Sequence, residues 1–216
     1  MKIIYIVGIL SLLISCTNKT SEKFKREDEI YERGIDISHH NQGINWNKLN
    51  VDFVFLKASE GSTFKDPKFQ EYRKEANRVN IPYGAYHYFT EADGNSQFKN
   101  YFKQVKYNIK LLPVIDIEIT KLNKKELSEE LSKFIYNCVS VYKVYPIIYT
   151  SDYFYKKYLS EIPEVKNCPI WLGDIDNYNV STPHIMHQIK IQKIPGTRGK
   201  VDYNHLYVPI DYIKYG

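Results

Sequence analysis

Between residues 34 and 207 the sequence alternates short apolar, β-branched runs with longer stretches of helical period, and no other feature restricts the fold as much. Strand-like runs stand at 34–38, 53–59, 82–89, 111–118, 145–151, 169–174, 186–192 and 201–207. Helical patterns fill several of the gaps. Asp66-Pro67 reads as a capping residue followed by proline at the first helical position, opening a helix that runs to about Asn80. A second helix is expected over about 96–107, and a third over about 124–142. The third carries Leu127, Leu131, Phe134, Ile135, Cys138 and Tyr142 on one stripe. A shorter helix follows Asp152. Strand, helix and strand repeating at about thirty residues predict βαβ units and a parallel sheet. Eight such strands predict closure into a barrel, although 216 residues fall short of the usual ~250. The gaps between the last three strands leave no room for full helices. The expected fold is therefore α/β, an irregular TIM-like (β/α) barrel with helices missing near the C-terminus.

The first fifteen residues belong to targeting rather than to fold. Lys2 supplies a positive start, residues 3–14 an apolar stretch too short to span a bilayer, and Leu13-Ile14-Ser15-Cys16 a small-residue ending. Those last four residues resemble the lipobox of bacterial lipoproteins, which implies cleavage before Cys16 and lipidation of its thiol. Removing residues 1–15 takes away one charge, Lys2, so the formal net charge falls from +5 to +4. Residues 16–33 read as a polar tether in which Lys19, Lys23, Lys25 and Arg26 are soon balanced by Glu27, Asp28, Glu29 and Glu32. Residues 34–216 are then one catalytic-sized domain. No basic stripe of the kind that binds nucleic acid is present. Cys138 and Cys168 read as small buried hydrophobes, in an exported compartment that would permit a disulfide.

The run 111–120 is the chemical centre of the sequence. Its apolar residues predict a buried strand, and alternation places Asp116 and Glu118 on one face, about 6.6 Å apart along it. Two like charges that close drive at least one pKa upward, leaving a proton donor beside an anion. Glycoside hydrolysis uses such a pair. In a barrel the polar residues at strand C-termini form the active face. Read in order, those ends offer Asp36 and Ser38, Lys57 and Glu60, Tyr86 and Tyr88, Asp116 and Glu118, Tyr149, Trp171, Gln188 and Asp202. Asp36, Asp116, Glu118 and Asp202, four carboxylates from three strands, and several aromatics are thereby expected to converge.

These motifs resemble glycoside hydrolase family 25, the lysozymes that cleave peptidoglycan between N-acetylmuramic acid and N-acetylglucosamine. The resemblance rests on Gly34-Ile35-Asp36-Ile37-Ser38 with Gln42, the run from Phe53 to Gly61, Gly84-Ala85-Tyr86-His87-Tyr88, Asp116-Ile117-Glu118, Ile148-Tyr149, Trp171-Leu172, Gln188, and Val201-Asp202-Tyr203-Asn204. It implies a flattened, irregular barrel, with Glu118 as general acid and Asp36, Asp116 and Asp202 as the other acids of the site. Lys57, Glu60, Tyr86, Tyr149, Trp171 and Gln188 are the substrate-binding candidates, with two alternatives open: Lys57 and Glu60 as an ion pair at the barrel rim, and Tyr86, Tyr149 and Trp171 as ordinary packing. Two departures stand out: His187 and Ile189 flank Gln188 where the family carries aromatics, and Gly173-Asp174-Ile175 follows Trp171-Leu172.

The resemblance implies no cofactor and no metal. It implies peptidoglycan strands as the partner of a monomeric lipoprotein of the bacterial cell envelope, held to the membrane only by its lipid. Two other readings stand beside it. One is a metal-dependent polysaccharide deacetylase ligating through Asp36, His39 and His40, although the sequence has no H-E-x-x-H and adjacent histidines on a strand face opposite ways. The other is a catalytically silent carbohydrate-binding lipoprotein, for which a costly buried acid pair has no use.

Overall fold

The computed structural model describes residues 30–216. The signal segment, Cys16 and most of the tether lie outside the described residues. Eight strands close into a barrel: β1 (Glu32–Ile37), β2 (Phe53–Glu60), β4 (Tyr83–Tyr88), β5 (Val114–Asp116), β6 (Ile147–Thr150), β7 (Ile170–Leu172), β8 (Met186–Gln192) and β9 (Val201–Leu206). The ninth, β3 (Phe64–Lys65), folds back on the end of β2 outside the ring. Closure comes from β1, which pairs with β2 on one side and β9 on the other.

All the expected strands form, but the sheet is not wholly parallel. β9 runs antiparallel to both β8 and β1. Residues 193–200 are too few for the dozen or more that a parallel crossover needs, so β9 returns as a hairpin. Its N-terminal end therefore lies at the mouth where the other strands end, which is how Asp202 comes to sit opposite Asp36. β1 also begins earlier than expected, since Glu32 and Arg33, read as tether, pair with Leu206 and His205.

The helices cover the first part of the ring: α1 (Phe69–Arg78), α2 (Gly94–Val105), α3 (Lys124–Tyr142) and the single turn α4 (Asp152–Phe154), which continues as a π turn through Leu159. Residues 173–185 carry β7 to β8 without a helix. α3 has the expected bounds and its whole expected stripe is buried. Its start is fixed by a capping box, in which the Asn123 side chain accepts from the Lys125 and Glu126 amides while Glu126 accepts from the Asn123 amide. α1 starts later than the sequence suggested. Asp66 still caps the turn that leads into it, its Oδ1 accepting from the Lys68 amide at 2.8 Å, while its Oδ2 accepts from the His39 backbone at 3.0 Å and the His39 ring at 2.7 Å.

Two apolar layers hold the fold. Val54, Leu56, Ile115, Ile148 and Leu172 point out to the helices, whereas Phe53, Phe55, Val114, Trp171 and Leu206 fill the barrel. Glycine makes the inner filling possible, because a Cβ on Gly84 would lie 2.2 Å from the Phe55 ring. Cys138 and Cys168 are both buried and unpaired. Among the described residues no helix is long and apolar enough to cross a membrane.

Candidate active site

At the C-terminal mouth of the barrel a cavity of about 340 Å³ is lined by Asp36, Asp116, Glu118 and Asp202 together with Lys57, Tyr86, Tyr88, Tyr149, Trp171 and Gln188. The four acids expected to converge do so. Asp36 comes from the end of β1, Asp202 from the start of β9, and Asp116 ends β5. β5 is shorter than the sequence suggested, and Glu118 lies just beyond it on the open lip. Even so, the chain stays extended: the Phe89 amide donates to the Asp116 carbonyl at 2.8 Å and the Ile117 amide to the Tyr149 carbonyl at 2.9 Å. That continuation keeps both carboxyls on the face that lines the cavity.

Burial and mutual repulsion move all four acids in the same direction. Burial is the main cause for Asp116, whose carboxyl is pushed well above its ordinary value, helped by Glu118 and then Asp36 and opposed by the Lys57 ammonium. Asp36 is pushed well up by burial and by Asp202, against the hydrogen bond from Asn204. Glu118 is raised by burial and Asp202, while a hydrogen bond with Asp116 pulls the other way. Asp202 rises through burial. The cluster therefore retains protons into a range where exposed carboxyls are fully ionised, and the Asp116–Glu118 pair is placed to pass one between them. Asp116 lines the cavity, and its Oδ1 is buried with no hydrogen-bond partner.

A buried relay fixes the far wall. Tyr149 donates to Gln188 Oε1 at 2.8 Å, and Gln188 Nε2 donates to Asp202 Oδ1 at 2.9 Å. Gly173 is required here because a Cβ would lie 2.3 Å from the Tyr149 hydroxyl oxygen. A second relay runs from Trp171 Nε1 to Asn204 Oδ1 at 3.0 Å and from Asn204 Nδ2 to Asp36 Oδ2 at 2.8 Å. Both departures from the family pattern have a structural use. The His187 ring contacts the Asp174 carbonyl at 2.9 Å, and the Asp174 carboxylate accepts from the Asp152 amide at 2.6 Å, tying the helix-free crossover to the barrel.

Not every candidate faces the cavity in the expected way. Lys57 does, but Glu60 does not line it; it pairs with Lys57 at 2.6 Å. Lys57 also lies 5.0 Å from the centre of the Tyr88 ring. Trp171 is only 2 % exposed, wedged edge-on against Tyr149 at 4.9 Å, so it supports the floor more than it offers a stacking face. Tyr88 is less buried, with its hydroxyl pushed up to about 12 by burial and the neighbouring acids. Asn204 was singled out only within the Val201-Asp202-Tyr203-Asn204 motif. Its position two residues after Asp202 on β9 puts it on the same face and marks it as part of the site. His39 is held by Asp66, and among the described residues no group of three or more His, Cys, Asp or Glu is arranged to hold a metal.

A (β/α) barrel with paired, proton-retaining carboxyls at its strand ends defines a class, the acid-catalysed glycoside hydrolases. The chain belongs to glycosyl hydrolases family 25, whose sequence pattern matches residues 35–193. It is similar to the autolytic lysozyme of Clostridium acetobutylicum, 27% identical over 158 residues, which cover 71% of this chain and 47% of that protein. The chain thus spans about half the length of that curated relative. Among solved structures it resembles a family 25 glycosyl hydrolase from Bacillus anthracis, with a TM-score of 0.76, 25% identity, and coverage of 89% of this chain and 96% of the other. The bacterial lysozyme of Streptomyces coelicolor shares the fold, with a TM-score of 0.77 at 22% identity over 86% of this chain and 96% of that one.

Proposed function

We propose that this chain is a peptidoglycan hydrolase of the lysozyme type, cutting the β-1,4 bond between N-acetylmuramic acid and N-acetylglucosamine. The observation that carries it is the Asp116–Glu118 pair: a buried carboxyl with an unpartnered oxygen beside a second carboxyl on the lip of the same cavity. The family's lysozymes supply the substrate class.

Glu118 protonates the leaving oxygen. Asp116 accepts the N–H of the substrate's N-acetyl group, whose carbonyl oxygen attacks the anomeric carbon. That hydrogen bond favours the ionised form of Asp116, which sends the shared proton to Glu118 as the substrate settles. Charge growing on the amide is then stabilised by the Asp116 carboxylate, and a water deprotonated by the Glu118 carboxylate attacks the anomeric carbon, breaking its bond to the N-acetyl oxygen and restoring the proton to Glu118. Asp36 and Asp202 add the negative charge that keeps the proton on the pair. Lys57, Tyr86, Tyr149 and Gln188 shape the cavity, and Tyr88 presents a ring to a sugar face.

The whole protein is read as an exported monomer acting on glycan strands and held to a membrane by a lipid on Cys16. Its test is Cys16→Ser, which is expected to move the protein to the soluble fraction with its hydrolytic rate unchanged; continued membrane fractionation would refute the anchor. The deacetylase reading is not favoured, since His39, unlike Asp36 and His40, does not line the cavity. Glu118→Gln tests the enzymatic reading. The amide keeps the shape but carries no acidic proton, so release of reducing ends from purified wall is expected to fall about 10²–10⁴-fold while wall binding persists. A rate within a few-fold of the parent refutes it.

A further inference from the structure

Next to the catalytic cavity is a second one of about 380 Å³, walled by the loop after β1 and by the link between β8 and β9. His40 lines both cavities, and Val201 of one precedes Asp202 of the other along β9. The second cavity differs in charge. Arg198 and Lys200 line it with His40 and Gln42, and no carboxylate does. Among the described residues neither cation takes part in an ion pair.

The walls are built rather than loose. The Asn45 amide donates to the Gly196 carbonyl at 2.7 Å, and Thr197 closes its own turn on the Ile194 carbonyl at 2.9 Å. Gly43 has φ +71°, and a Cβ there would lie 3.2 Å from Arg198 Cδ, so the arginine stem lies across the loop. On the other side the Tyr72 hydroxyl donates to the Asn41 carbonyl at 2.6 Å.

Two exposed cations with no ion-pair partner, lining a pocket that adjoins the cavity of the four acids, form a site suited to an anion from outside. Arginine's planar fork matches a carboxylate or phosphate, lysine adds a point charge, and the Gln42 amide adds a neutral donor. We propose that this pocket binds an oxyanion carried by the wall polymer, either a carboxylate on the peptide joined to muramic acid or a phosphodiester of an attached anionic chain. The proposal rests on the lysozyme reading for its substrate. Consecutive strand residues are only ~3.4 Å apart, so a substituent on a sugar lying against Asp202 reaches the pocket directly.

The test uses the Arg198→Gln/Lys200→Gln double variant of the full chain on three preparations of one wall: intact, freed of peptide by an amidase, and freed of phosphodiester polymer by hydrofluoric acid. The readout is each protein's ratio of kcat/KM on intact to stripped wall. For the parent a ratio of about ten is expected on whichever stripping removes the anion, from two partly exposed charge-assisted contacts. For the double variant the same ratio falls to near one, and the stripping that matters names the source. A parent ratio near one on both strippings, or a variant that keeps the parent's ratio, overturns the pocket and leaves the lysozyme reading standing. Calorimetric titration with N-acetylmuramyl dipeptide and with a glycerol phosphate oligomer separates the converse case. If the parent cleaves no wall but binds one probe and the variant does not, the pocket stands and the lysozyme reading falls. If the parent neither cleaves nor binds, both fall.

Discussion

Asn204→Leu tests whether the buried relay under the site carries the weight given to it. Asn204 is 0% exposed and makes two bonds at once, accepting from Trp171 Nε1 at 3.0 Å and donating to Asp36 Oδ2 at 2.8 Å. Leucine keeps the branched four-atom skeleton in a larger volume and ends both. A buried indole N–H left without a partner costs about 1–3 kcal/mol. The bond to Asp36 costs less, about 0.5–1 kcal/mol, because Asp36 borders the cavity and water can replace the amide. Against this, the leucine gains about 1 kcal/mol from added apolar burial. The net loss is about 1–3 kcal/mol, which lowers the melting temperature by roughly 3–10 °C for a domain of this size. Differential scanning calorimetry reads that directly. Trp171→Phe removes the donor itself, so Asn204→Leu made in that background is expected to cost about 1 kcal/mol less than in the parent. Equal costs in the two backgrounds would show that the Trp171–Asn204 bond contributes nothing.

Asp116→Asn is expected to trade activity for stability. The folded pKa of Asp116 is raised, so its contribution is fully present below the unfolded value of about 3.9 and is lost as pH rises through the folded value. The asparagine variant is therefore expected to melt above the parent at about pH 8 and level with it at about pH 3.5, with hydrolysis down about 10²–10⁴-fold; a gap that does not change with pH contradicts the shift. Gly173→Ala drives a methyl into the Tyr149 hydroxyl and breaks its bond to Gln188. Overpacking of that kind costs about 1–3 kcal/mol, and kcat/KM on wall is expected to drop at least tenfold; parent-like kinetics would show that the Tyr149–Gln188–Asp202 relay does not shape the site.

Most of the barrel was legible because its strands are written locally, as apolar runs between turn signals, and α3 carries its own cap and stripe. The direction of β9 was legible only in the length of the link before it, a signal that competes with the parallel pattern of every preceding strand. Asp66-Pro67 marked the capped turn correctly but not the first regular helical residue, Phe69, and the second partner of Asp66, His39, is one that sequence does not reveal. Within the site, the convergence of Asp36, Asp116, Glu118 and Asp202 followed from strand ends, whereas sequence left Trp171 open between stacking and packing and Glu60 open between substrate and an ion pair. Burial decided the first and an ion pair with Lys57 the second, and both depend on which neighbours the fold supplies.

Real-time proton NMR of freshly released wall fragments tests the central claim most directly, since one spectrum reports which sugar carries the new reducing end and in which anomeric form. The substrate-assisted lysozyme chemistry assigned to Glu118 and Asp116 predicts N-acetylmuramic acid at that end, appearing first as the β anomer and only later relaxing toward α. N-acetylglucosamine at the new end would contradict the bond assignment, and α-first product would contradict the role given to Asp116.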